Sequence, residues 1–158
     1  MFCIGDRIAH PMHGAGVIDG IEEQRINGVT RKYYMFRVPS AGMTVMIPVD
    51  HCEEVGVRPI INAEEADAVL RLLPELTVDM TQSWNRRYRE NMQRIKSGNL
   101  IEVARVIKGL MARDFEKGLS TGERKMLKSA KQILISEIVL SKNCDYEAVE
   151  IEVDKSLA

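Results

Sequence analysis

Hydrophobic and polar positions change rhythm once along this chain. Up to residue 59 the apolar positions come in short runs bounded by turn residues, which predicts strands at Asp6–His10, Ala15–Ile26, Thr30–Val38 and Met43–Val49. Cys52–Val57 is a possible fifth. Asn27-Gly28 between the second and third is the strongest short hairpin signal, because both residues tolerate a positive φ. Gly20 allows a bend in the long second strand, and Ser40-Ala41-Gly42 turns the chain into the fourth.

Beyond Asn62 the period becomes helical. Asn62-Ala63-Glu64-Glu65, Asn99-Leu100-Ile101-Glu102 and Ser120-Thr121-Gly122-Glu123 each set a capping side chain three residues ahead of a glutamate, which satisfies otherwise orphaned backbone donors. The stripes that follow are Ala66, Val69, Leu70, Leu73; then Leu100, Val103, Ala104, Ile107, Leu110, Met111; then Leu127, Ala130, Ile133, Leu134, Ile138. Each has the i, i+3, i+4 spacing of a helix with one buried face. A helix from about Ser83 to Ser97-Gly98 lies between the first two, and Tyr146, Val149, Val153 and Leu157 mark a last one. Val78–Gln82 reads as a short loop. All five prolines and seven of the eleven glycines fall before residue 75, which supports the same division. The expected fold class is α+β: residues 1–59 a small Tudor-like or SH3-like antiparallel β-barrel, residues 60–158 an all-α bundle of about five helices.

Composition narrows the function classes. With 158 residues, 45% of them hydrophobic, the chain can bury a core and is not a disordered tail. Its net charge of −1 gives no bulk attraction to nucleic acid. Yet residues 81–98 hold Arg86, Arg87, Arg89, Arg94 and Lys96 against Glu90 alone, so positive charge is concentrated. Cys3, Cys52 and Cys144 are odd in number and far apart, which suits a reduced cytoplasm better than a disulfide framework. No signal sequence or membrane span is expected.

The stretch Ser83-Trp84-Asn85-Arg86-Arg87-Tyr88-Arg89-Glu90 contains the single tryptophan of the chain. Trp84, Tyr88, Met92 and Ile95 fall on one side of a helix, so Trp84 reads either as a packing residue or as a ring that projects past the bundle to stack on or wedge between bases. Periodicity alone favours packing. Lys117, Arg124, Lys125, Lys128 and Lys131 form a second basic group around the Ser120 helix start, readable as a phosphate contact or as a solvated face. His10, His13, His51 and Cys52 are weak metal-ligand candidates, because Pro11 and Gly14 make a turn there and no second cluster has metal-like spacing. Neither a metal nor another cofactor is expected. The chain has no glycine-rich phosphate loop, GxSxG elbow or HExxH signature, and reads as a non-enzyme.

Four segments in order resemble the CarD/CdnL family of bacterial transcription regulators: Gly5-Asp6 to Gly16, Met43–Val49, Trp84–Arg89 and Gly118–Leu127. The resemblance implies an N-terminal domain docked on the β subunit of RNA polymerase and a helical domain touching promoter DNA at the upstream edge of the transcription bubble. It assigns Trp84 as a minor-groove wedge, with Arg86, Arg87 and Arg124 as DNA-contacting positions; Arg89 and Lys125 extend that basic group. It places the polymerase contact around Arg25, Ile26 and Met46, where Gln24 and Met46 stand at positions that some relatives fill with arginine. The protein is then expected to be a cytoplasmic monomer, nucleoid-associated through polymerase, that stabilises the open promoter complex. A protein-only adaptor, using Trp84 and Tyr88 as hot spots, is the rival reading.

Overall fold

The computed structural model of the protein describes residues 1–78 and 83–158. Strands β1 (Arg7–His10), β2 (Gly14–Ile26), β3 (Val29–Val38), β4 (Met43–Pro48) and β5 (Arg58–Pro59) form one antiparallel sheet in the order β4-β3-β2-β1-β5. A short helix α1 (Cys52–Val55) precedes β5, and helices α2 (Ala63–Leu72), α3 (Trp84–Lys96), α4 (Leu100–Lys117), α5 (Thr121–Lys142) and α6 (Tyr146–Leu157) follow it.

The α+β class holds, with two refinements. The sheet is open, with β4 and β5 as its edges, so it is not a hydrogen-bonded barrel. Cys52–Val55 is helical where a strand was expected. Glu53 and Glu54 stand in its first turn, favoured by the helix dipole, and Gly56 closes it at φ 96° by donating to the Cys52 and Glu53 carbonyls. The closing strand is instead Arg58–Pro59, paired with Ile8 and Ala9.

Elsewhere the local signals act as read. Asn27 and Gly28 take φ values of 52° and 78°, and Ile26 pairs with Val29 across the turn. Asn62 Oδ1 accepts from the Glu65 N–H while Glu65 accepts from the Asn62 N–H, a complete capping box. Asn99 and Ser120 also cap their helices, but Glu102 and Glu123 turn to arginines. The loop reading for Val78–Gln82 falls mostly on residues 79–82, outside the described residues.

Two hydrophobic clusters form. One lies inside the sheet module around Ile8, Ile18, Tyr34, Phe36 and Ile47, the other inside the bundle around Leu73, Ile107, Leu110, Leu134 and Val153. Between them, Ala9 and Pro11 share a small pocket with Ile95, Leu100 and Ile133, and polar contacts also cross the seam. Helix α5 crosses the start of β2, where the Ala15 N–H donates to Ser136 Oγ at 2.9 Å. Gly14, at φ 89°, permits that approach: a Cβ there would stand 2.5 Å from Ser136 Oγ. Arg58 reaches Glu137 with two hydrogen bonds of 2.6 and 2.8 Å, and Arg7 donates to the Leu140 carbonyl at 2.7 Å.

Candidate nucleic-acid interface

Ser83 starts α3 by accepting from the Arg86 N–H, which sets Trp84 as the first helical residue. Its ring stacks on Tyr88 one turn later, with centroids 5.2 Å apart and planes 19° from parallel. Trp84 remains 45% exposed, while Tyr88, Met92 and Ile95 are progressively drawn into the bundle. The apolar stripe of α3 is therefore a packing face whose first residue projects beyond the packing.

The cations around it separate into two kinds. Arg86 is exposed and shares a 3.1 Å surface pair with Glu90, worth little in water. Arg89, Arg124 and Lys125 are exposed, the last two in the first turn of α5. Arg87 differs. It is 8% exposed, and its Nε and Nη2 donate to Glu123 Oε2 at 3.3 and 3.2 Å. Glu123 is 2% exposed, and Arg113 of α4 lies 3.6 Å from its other oxygen. This buried group ties the starts of α3 and α5 to the end of α4, which brings Trp84, Arg86 and Arg89 to the same end of the bundle as Arg124 and Lys125.

Glu123 was legible in the sequence only as a capping residue. Glu137 carries a clearer signal, a lone acid inside the apolar run Ile133–Ile138.

The three sheet residues do not converge on one point. Directly paired residues point to the same face, and faces alternate along a strand. Met46 pairs with Met35 and Ile26 with Val29, six residues apart on β3, so Ile26 and Met46 share the outer face about 20 Å apart. Arg25 pairs with Thr30 and belongs to the face that carries Tyr34 and Phe36 into the core. Ile26, Val29 and Met46 are exposed, with Tyr33 and Met35 half-buried between them.

The metal candidates are partnered separately. His10 and His13 have ring centroids 4.5 Å apart, and His10 Nδ1 accepts from the Met12 N–H at 3.0 Å. Burial, then the neighbouring His13, pulls the His10 pKa down to about 4. His51 instead pairs with Glu54. Among the described residues, no group of three or more His, Cys, Asp or Glu side chains is placed to hold a metal ion. No described helix is long and apolar enough to cross a membrane.

An open antiparallel sheet fastened to a five-helix bundle, with an exposed tryptophan and unburied cations at one end, defines a two-module protein with a cationic aromatic surface. The chain belongs to the CarD family. Residues 2–61 match the CarD-like/TRCF RID domain, and residues 68–154 match the CarD C-terminal domain. It is also similar to the Bacillus subtilis (strain 168) protein named "Putative transcription factor YdeB", 37% identical over 142 residues that cover 90% of this chain and 93% of that protein.

Proposed function

We propose that this CarD-family transcription regulator docks its sheet module on the RNA polymerase β subunit and sets its helical end against promoter DNA at the upstream edge of the transcription bubble. The observation that carries this reading is Trp84, half exposed and stacked on Tyr88, at the end of the bundle where Arg86, Arg89, Arg124 and Lys125 are exposed. Inserted between base steps, the indole opposes re-pairing of the bubble, while Arg86, Arg89, Arg124 and Lys125 hold phosphates. Arg87 serves the same end indirectly, by fixing α3 on α5 through Glu123. The outer sheet face with Ile26 and Met46, and Arg25 beside the hairpin tip, supplies the polymerase contact. No chemical step is involved; binding shifts the population toward the open complex.

The test is the lifetime of open complexes formed by bacterial RNA polymerase holoenzyme on an unstable promoter, with the wild-type protein and with Trp84→Ala. A longer lifetime that the variant does not give supports the wedge. An unchanged lifetime with polymerase binding intact replaces it with the protein-only adaptor.

A further inference from the structure

Beside the Trp84–Tyr88 stack lies a slot of about 200 Å³ between α3 and α5. Its floor is Ile95, Met126 and Ile133, all buried, and its walls are Tyr88, Met92, Gly122 and Ser129. Met12, exposed in the β1–β2 turn, and Lys125 stand at its mouth.

We propose that this slot receives a single unpaired nucleobase at the bubble edge, next to the base step that Trp84 enters. The proposal rests on the open-complex reading above and deepens it. Three features select a base as the occupant. The Tyr88 ring is shared between the indole and the slot, so a base leaving the helix beside Trp84 meets a second aromatic surface without losing the first. Methionines from the β1–β2 turn, α3 and α5 (Met12, Met92 and Met126) also line it, and polarizable sulfur packs well on ring edges of varied shape. The charge is also complementary. Lys125 lies at the mouth, with exposed Arg124 beside it in the same helical turn, and the nearby acid Glu123 is buried on Arg87. A base arrives with its phosphate, and the mouth attracts that anion.

The slot offers few hydrogen-bonding groups, chiefly Ser129 and Lys125, so it accepts a base without strong preference for its identity. It also has a defined way to be filled. Ser129 is exposed on the helix, and a Cβ on Gly122 would sit 3.8 Å from Tyr88 Cε2, an ordinary contact. Ser129→Met and Gly122→Leu therefore occupy the slot from opposite ends, and neither replaces Trp84 or a proposed phosphate-binding cation.

The test uses full-length protein, polymerase holoenzyme and promoter DNA, either intact or with one abasic nucleotide placed in turn at each unpaired upstream position of either strand. On intact DNA the wild type should outlast both filled variants in open-complex lifetime by about fivefold or more, given the usual strength of base–aromatic stacking. At one abasic position that difference should vanish. Filled variants that match the wild type on intact DNA, or a difference that persists at every abasic position, overturn the slot. If Trp84→Ala still abolishes the effect in that case, the slot alone has failed. If the wild type lengthens no lifetime, the open-complex reading and the slot fall together. Thermal melting of both variants within a few degrees of wild type confirms that they fold.

Discussion

Arg58 of β5 and Glu137 of α5 form a two-pronged ion pair across the seam between sheet and bundle, 79 residues apart in sequence. Glu137 is 1% exposed and also accepts from the Ile61 N–H at 2.9 Å, while Arg58 donates its remaining hydrogen bonds to the Gly98 and Pro59 carbonyls. With the two hydrophobic clusters separate, this pair, the Ala15–Ser136 bond and the Arg7–Leu140 bond help set how one module sits on the other. Under the proposed function, that orientation decides whether a sheet docked on polymerase would present Trp84 to the bubble.

Arg58→Ala should cost about 3 kcal/mol, because it leaves the buried Glu137 carboxylate without its cation. Arg58→Met combined with Glu137→Leu should cost less than the two single changes summed. Urea unfolding of the four proteins closes the cycle, and simple additivity would show that the pair is not coupled.

Arg87 and Arg89 stand two residues apart and should fail differently. Arg87→Gln should lower unfolding stability by about 2 kcal/mol, because the buried Glu123 keeps, among the described residues, only the longer Arg113 contact as an ion pair. Arg89→Gln should leave stability within about 0.5 kcal/mol of wild type. If Arg86, Arg89, Arg124 and Lys125 each meet a phosphate, log affinity for the promoter complex falls against log salt with a slope contribution of about −3.6. Arg89→Gln then removes about 0.9 of it. Titrations at several salt concentrations read the slope, and an unchanged value would take Arg89 off the DNA.

Met46→Glu and Ile26→Asp place a charge on the exposed outer face of the sheet. Each should leave the melting temperature nearly unchanged, since both positions are solvent-exposed. Each should weaken binding to the polymerase β subunit at least tenfold, about 1.4 kcal/mol. Equal affinities for wild type and both variants would move the docking surface elsewhere.

Stability should fall as the solution is acidified from pH 7 to pH 4. His10 sits near the seam with His13, close to the mutually neutralised Arg58 and Glu137, and its folded pKa of about 4 lies below the ordinary value of 6.5. The unfolded chain therefore binds this proton first. Stability is fully present above pH 6.5 and is lost as pH drops toward 4, by at most about 3 kcal/mol. His13, also lowered by burial, adds in the same direction. His10→Gln should flatten the profile over that window in denaturant melts, and a profile as steep as wild type would place the titration elsewhere.

Features governed by a few neighbouring residues were legible in the sequence. The hairpin at Asn27-Gly28, the caps at Asn62, Asn99 and Ser120 and the apolar stripes depend on backbone sterics and on groups within four positions. The family resemblance, carried by Trp84–Arg89 and Gly118–Leu127, came from the same linear text. Cys52–Val55 escaped because a six-residue segment gives too few periods to separate strand from helix.

Only the tertiary structure decided which charges face water. Arg86, Arg87 and Arg89 are equivalent in a list of basic residues, yet packing of α3 on α5 buries the middle one against a glutamate 36 residues away. The same packing leaves Trp84 half exposed, cuts the slot beside it and holds Glu137 under Arg58. Such relationships join residues distant in sequence. Their energies depend on desolvation, which no local pattern encodes and which arises only when two surfaces meet.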